Sequence, residues 1–512
     1  MTANLLAPVL TAASAALLGL CWRTAIRSWR WPQWLTAGIL LLALFTFWRL
    51  AVVAVVGTLA SDWNGSRLAP TFALTYGYEL YYPADQGPIT NHVYGPVAAF
   101  AYLPATLLRT PTPAILAGGA LQVAFVFGAM LAFVWRAGAR NAADRAVPLA
   151  CGLAACLLMA RYRGTAYWFT MVHADGPSLA LGLLACAALI SRHGAPPSTA
   201  ALFASALAAI LSCWAKQTAA ALPIALALAV WIAHGRAVAL RYVAMLAGVG
   251  VVVSVAFFGW FGRPMLFNMF EIVSRHGWIK PGLSGLATAT ARFLAGMWEV
   301  LALLAAGLAV WRLAPREAAR HAAGAWLAPL LAALLLLPAG ALGANKLGGE
   351  PSSFHSAYYL IAAGAALFAE TARRAVAARV LGWSFCALAI LAAWHSGRAT
   401  LPASRPPLWE NSQQLAYEFA VRHPGETYFP WQPLATLLAE GRLYHFEYGM
   451  IDRYLAGYPP TAEHLQASLP PHMHWVAAHT RVWTMNQFFS TYSEETPFPD
   501  LPGFIVVSRP AS

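Results

Sequence analysis

Apolar runs of membrane-crossing length recur through the first 397 residues of the chain and then stop. A helix needs about twenty apolar residues to cross a bilayer, and shorter runs mark broken or interfacial ends. By that measure the pattern predicts twelve spans, near 4–21, 34–57, 113–135, 147–160, 177–191, 199–213, 219–234, 243–262, 291–311, 324–340, 356–371 and 380–397. From residue 398 the periodicity changes. ETYFPW, HWVAAH and GFIVVSR read as short strands, and QPLATLLAEG, EYGMIDRYLAG and TAEHLQASL as helices. The expected fold is a polytopic α-helical membrane protein of about twelve transmembrane helices (1–397) with a small C-terminal α/β domain (398–512).

Composition agrees with the pattern. Charged residues make up 10% of the 512 positions and mean hydropathy is +0.57, where a soluble protein carries about a quarter charged residues. The net charge of +13 raises nucleic acid as a partner, but its distribution removes that reading. Residues 1–397 hold 26 Lys+Arg against 10 Asp+Glu, whereas residues 398–512 hold 7 against 10. The basicity belongs to membrane loops. All six cysteines lie in apolar segments, so no disulfide framework is expected in the tail. The first basic residue, Arg23, follows the first apolar run, so that run does not read as a cleavable signal peptide and is expected to stay.

The loops sort into two sets. Segments 22–33, 136–146, 192–198, 235–242, 312–323 and 372–379 total 58 residues and hold 15 Arg. Segments 58–112, 161–176, 215–218, 263–290 and 341–355 total 118 residues and hold 9 Lys+Arg. Positive residues concentrate inside, so the first set is cytoplasmic. HVYGPVAAFAYLPATLL (92–108) is short and broken by Pro96 and Pro104; it reads as a helix lying on the outer interface, which keeps the charge rule consistent. The tail then falls outside too.

Chemistry is expected on that outer face. Asp62, Glu79, Asp85, Asp175, Glu271 and Glu350 fall in outer loops, as do the three lysines of the chain, Lys216, Lys280 and Lys346. A compact ammonium beside the bilayer suits a phosphate headgroup; three lysines among 30 arginines also fit mere codon bias. Asp62 reads as a general base or sugar-orienting carboxylate held just outside a span, or as the opening of an Asp-Trp-Asn-Gly turn. TYGYELYYPADQGPITNHVYGP (75–96) offers Tyr82 and Tyr94 as sugar or isoprenoid platforms, or as an interfacial aromatic belt. A belt does not account for Glu79, Asp85, Asn91 and His92. His173 and Asp175 make half a metal site with no second cluster, and Asp175 also suits a helix start. Arg161 and Arg163 suit a phosphate or an interfacial anchor. Arg49 and Glu299 are charges inside spans, where a partner or wet cavity is expected.

These positions resemble the GT-C class of integral-membrane glycosyltransferases, nearest to bacterial members related to protein mannosyltransferases and aminoarabinose transferases. Asp62 opens a long outer loop (58–112) after a span. VYGPVAAFAYLP (93–104) is similar to the interfacial helix closing that loop, and HADGPSLALGLL (173–184) to an Asp-containing entry to a later span. WAKQTAAALP (214–223) is similar to a Lys-Gln-Thr element at an outer helix end, and NKLGGEPSSFHSAYYL (345–360) to a Gly-rich, aromatic-rich loop. The chain departs from the pattern in carrying a lone Asp62 before Trp63 rather than a paired Asp-Glu, in His92 and Tyr94-Gly95-Pro96 where a double proline is usual, and in an added first span.

The resemblance implies inverting transfer of a monosaccharide from a polyprenyl-phosphate donor to an extracytoplasmic glycan, lipid or protein acceptor, in a bacterial inner membrane. Asp62 is then the base; Lys216, Lys346 and Arg163 bind the donor phosphate; Glu79, Tyr82, Asp85, His92, Tyr94, His173, Asp175 and His355 contact substrate. Some members use a divalent cation, and the ligands here are too few to assign one. A lipid-phosphate leaving group needs no nucleotide loop, and none is present. A transporter or flippase of lipid-linked sugars is the alternative, but it would need mid-membrane polar groups in paired half-repeats, where only Arg49 and Glu299 qualify. A polymerase or ligase of lipid-linked glycans would carry a large Arg-rich late loop, and 341–355 is short.

Overall fold

A computed structural model describes residues 54–137 apart from Asn91, 171–190, 195–297, 316–371, 410–479 and 501–508, with isolated positions among 44–52, 152–159, 301 and 492–500. The spans expected at 4–21 and 380–397, most of those at 34–57, 147–160 and 291–311, and Arg49, Arg161, Arg163 and Glu299 lie outside the described residues.

The membrane part is built of apolar helices. α1 is Asp62–Thr75 and α2 the short Pro96–Phe100. Beyond them, α3 runs Pro111–Ala137 with a π turn at Ala124–Gly128, α4 covers Asp175–Ala188, and α5 covers Thr199–Ala215. α6 is Leu222–His234, α7 runs Arg236–Arg275 through a kink at Gly262, and α8 is Leu283–Gly296. α9 spans Arg316–Ala344 and α10 His355–Thr371. Four helices among the described residues are long and apolar enough to cross a membrane, with α4 and α5 as shorter apolar helices. The protein is thus a multi-pass membrane protein by composition and helix length.

Three local expectations change. Residues 235–242 are not a loop: Gly235, at φ 81°, turns the chain in one residue, and α7 begins at Arg236. Residues 263–275 are helical rather than a loop, but they follow a break at Gly262 (φ 59°, ψ −151°), so the first part of α7 ends where the span was expected to end. The expected interfacial helix at 92–108 is split into α2 and a 3-10 turn at Leu103–Leu107, because Pro96 starts one and Pro104 starts the other.

Residues 410–508 carry α11 (Ser412–Arg422), α12 (Pro433–Glu440), α13 (Glu447–Leu455) and α14 (Ala462–Ala467) beside a four-stranded sheet. β1 (Thr427–Tyr428) pairs parallel with β2 (Trp475–Ala478), β2 antiparallel with β4 (Ile505–Ser508), and β4 antiparallel with β3 (Glu494–Glu495). The six segments expected to be strands or helices take those forms. α11 and β3 were not foreseen.

This C-terminal unit shares a core with the membrane part. Leu434, Leu437, Leu443 and Phe446 bury themselves with Leu68, Phe72, Ile115 and Val172. Backbone contacts reinforce the seam: Phe446 N donates to Ile89 O at 2.8 Å, and Ile89 N donates to His445 Nδ1 at 2.9 Å. The buried Arg453 guanidinium donates to the carbonyls of Pro83 and Ala84. The loop 77–95 is therefore held against α13.

Gly449 lies in that seam, where an added Cβ would stand 2.4 Å from Thr90 O and 3.0 Å from Ile89 O. Overpacking of this kind costs about 1–3 kcal/mol. Gly449→Ala should lower the unfolding midpoint in detergent and speed proteolysis of the C-terminal unit; an unchanged midpoint and digestion rate would show that the seam is loose.

Candidate functional site

The site is assembled from four segments far apart in sequence. α1 anchors the first two. Buried Asn64 donates from Nδ2 to Thr58 O at 2.8 Å, while its Oδ1 accepts from Val172 N at 2.8 Å, fixing the stretch that leads into α4. One turn on, Arg67 Nη1 donates to Val172 O at 3.4 Å, and its guanidinium lies 4.8 Å from the centre of the Trp63 ring. The entry to α4 is tight: a Cβ on Gly176 would sit 2.1 Å from Gln122 Oε1 and 3.1 Å from the Tyr102 hydroxyl. Only glycine leaves room there for Gln122 to meet the Tyr102 hydroxyl, which lies 2.8 Å from the His173 carbonyl.

Asp175 opens α4, ahead of the apolar run, and has no exposed surface. Lys216 Nζ, at the end of α5, lies 2.5 Å from Oδ1. His355 Nδ1, at the start of α10, donates to Oδ2 at 2.8 Å, and His173 Nδ1 stands 2.7 Å from the same oxygen. With Nδ1 donating to the carboxylate, His173 Nε2 accepts from the Tyr94 hydroxyl at 2.8 Å. Lys216 also approaches Ser352 O at 3.5 Å. Gln217 Nε2 then ties the loop to the helices, donating to Val93 O at 2.6 Å and Met269 O at 2.8 Å.

The charge states follow. Burial alone would push the Asp175 carboxyl up; Lys216, then His173 and His355, outweigh it and hold it well below the usual carboxylate range. Burial, with Arg67 adding to it, pushes His173 down to about 3, so its imidazole is neutral at physiological pH. Burial pushes Tyr94 up to about 12, with Arg67 opposing and Asp175 and Asp452 assisting. Asp175 and Lys216 neutralise one another, and Tyr94 feels both the Arg67 guanidinium and the Asp452 carboxylate. The guanidinium is a group that suits a phosphate.

The residues do not fit a divalent cation. Lys216 supplies the positive charge beside Asp175, and no group of three or more His, Cys, Asp or Glu among the described residues is arranged to hold a metal.

Of the residues anticipated from the sequence, the structure brings together Tyr94, His173, Asp175, Lys216 and His355. Asp62, half-buried at the start of α1, instead accepts hydrogen bonds at Oδ1 from Ser412 Oγ and, at 3.5 Å, from Gln413 Nε2. Lys346 donates to Val273 O at 3.1 Å and Ser274 O at 2.5 Å, closing the end of α7, with its ammonium 4.9 Å from the Trp278 ring. Tyr82 covers Gly87, and its hydroxyl accepts from Glu79 N at 3.0 Å; Glu79 and Asp85 are exposed. His92 is buried against Tyr81, pushed down to about 4 by burial. Arg67, Tyr102 and Gln122 were not anticipated. Arg67 was legible only as one outer-loop arginine, though it stands five residues after Asp62 on the same helix.

No family model matches the chain, and no curated protein matches it. Two solved structures share its fold. One is ArnT from Cupriavidus metallidurans in the apo state, with a TM-score of 0.55 and 12% identity over 91% of this chain and 97% of that one. The other is the same protein bound to undecaprenyl phosphate, with a TM-score of 0.51 and 12% identity over 92% and 98%. At that identity the likeness is one of fold alone.

His173 makes a pH prediction. Its folded value of about 3 lies below the ordinary 6.5, so its stabilising share is full above about 6.5 and lost as pH falls toward 3. Melting in detergent should therefore drop across that window, and His173→Gln should lower the neutral-pH midpoint while flattening the drop. An equally steep drop in the variant would place the titrating group elsewhere.

Proposed function

We propose that the protein transfers a monosaccharide from a polyprenyl-phosphate donor to an extracytoplasmic acceptor, with inversion at the anomeric carbon. The carrying observation is the buried Asp175–Lys216–His355–His173 network, which ends at the half-buried Tyr94 beside Arg67. It stands at the outer ends of apolar helices, where a lipid phosphate entering from the bilayer would stop. The shared fold with a protein solved bound to undecaprenyl phosphate supports the same class of donor.

In this reading Arg67 and Lys216 hold the donor phosphate and stabilise it as it leaves. The acceptor oxygen bonds to the anomeric carbon as the bond from that carbon to the phosphate oxygen breaks. The bonding pair departs on the lipid phosphate, and the acceptor proton passes to Asp62. Ser412 and Gln413 hold one oxygen of Asp62 and orient the other for that role. His173 and Asp175 position Tyr94 toward the sugar. The C-terminal unit and the outer loop stand outside a bacterial cytoplasmic membrane. Lys346 is committed to the end of α7 and has no part in donor binding here.

The test is incubation of purified protein with radiolabelled polyprenyl-phosphate sugars and measurement of the free lipid phosphate released. Wild type should release it from one donor. Asp62→Asn should lose at least about a hundredfold, the lower range for a general base, while retaining its melting temperature. Failure to process any donor, or full activity in Asp62→Asn, would overturn the reading.

A further inference from the structure

The C-terminal unit brings a carboxylate to the same cleft. Asp452 lies on α13, one turn after Tyr448, so both side chains share a helix face. The Tyr448 ring packs against Trp63 and Trp431, and Trp63 carries the Arg67 guanidinium on its face. Trp63, Arg67, Tyr448 and Asp452 therefore form one continuous lining, half-exposed throughout, from the membrane part into the tail.

Asp452 is conspicuously underused. Its side chain is 19% exposed, and the basic group beside it among the described residues is His276, with Nε2 3.9 Å from Oδ1 and its imidazole held below the ordinary value by burial. That imidazole nitrogen is engaged with the Asp452 backbone carbonyl at 3.1 Å instead. No hydrogen bond from the described residues reaches the carboxylate. By contrast the neighbouring Arg453 is spent on the Pro83 and Ala84 carbonyls. A mostly buried carboxylate without donors is costly to keep unless a ligand supplies them.

Its charge reaches the site already described. Asp452 acts on the Tyr94 hydroxyl, as do Arg67 and Asp175, and on Tyr448 together with Arg67, Glu350 and Glu447. Of the two carboxylates that act on Tyr94, Asp175 is tied to Lys216, and Asp452 has no lysine or arginine within 4 Å among the described residues.

We propose that Asp452 is a substrate-binding carboxylate of the transfer site, accepting a hydrogen bond from a hydroxyl or amino group of the sugar or of its acceptor. The aromatic faces of Trp63 and Tyr448 beside it suit a sugar ring. This rests on the transferase reading and adds that the site is incomplete without α13. Burial pushes the Asp452 carboxyl up to about 7, so in the empty site it changes state near neutral pH. The titratable groups near it are His276, from the segment after α7, with Lys346 acting on that imidazole, and Tyr94 and Tyr448, on whose hydroxyls its charge acts.

The experiment uses full-length wild type and the variants Asp452→Asn and Asp452→Glu, in the donor-release assay and in a binding assay with polyprenyl phosphate alone. Asp452→Asn should raise KM for the sugar substrate roughly ten- to hundredfold, the range for a lost hydrogen bond to a charged group. It should bind polyprenyl phosphate like wild type, since Arg67 and Lys216 are intact. Wild-type kcat/KM should rise with pH through about 7, a limb that Asp452→Asn loses and Asp452→Glu retains. Unchanged KM and an unchanged pH limb in Asp452→Asn would overturn this proposal while leaving the transferase reading standing. Loss of polyprenyl phosphate binding in both variants would make the residue structural and overturn it too. Wild type inert toward all donors would instead remove the reading beneath it.

Discussion

A carboxylate with no exposed surface stays charged only when its surroundings replace the water it has lost. Asp175 is in that position, and the replacement is supplied by Lys216 at 2.5 Å and by two imidazoles. Each donor comes from a different element, at the start of α4, the end of α5 and the start of α10. Satisfying one buried charge therefore fixes the relative placement of three helices at their outer ends. The constraint propagates outward. Held by Asp175, His173 accepts from Tyr94, and Gln217 next to Lys216 holds the Val93 carbonyl, so the outer loop inherits its position from the same pair.

The loop is fixed from the other side by the C-terminal unit. Ile89, Pro83 and Ala84 give backbone atoms to Phe446, His445 and Arg453, so the segment carrying Tyr94 is held both below and above. A cleft bounded in this way has one wall from the membrane helices and one from α13. Arg67 and Trp63 line the first, Tyr448 and Asp452 the second. The Tyr448 ring packed against Trp63 joins the two walls.

The sequence showed the parts and hid their pairing. Asp175 and Lys216 stood out because charged residues are scarce and sit beside apolar runs, His355 only within the 345–360 stretch that carries the resemblance, and long apolar periodicity marked their helices. Which of them meet depends on how helix ends converge, and no local pattern carries that. Lys346 illustrates the limit: beside a membrane, a lysine at a phosphate and a lysine closing a helix end read alike until the Val273 and Ser274 carbonyls are seen to accept its hydrogen bonds. Asp452 was invisible for the opposite reason, as one acid among ten in a polar tail. Residues 235–242 read as a loop on their arginines, whereas the single φ of Gly235 makes the turn and leaves the rest helical.

A double-mutant cycle on Asp175→Asn and Lys216→Met, read as unfolding free energy in detergent, tests the governing interaction directly. Removing one partner of a buried pair costs about 3–5 kcal/mol, because the other charge is left uncompensated. Each single variant should show that loss, and the double variant should lose far less than their sum. Strictly additive losses would mean that the two side chains do not sustain one another, and that the outer ends of α4, α5 and α10 are positioned by something else.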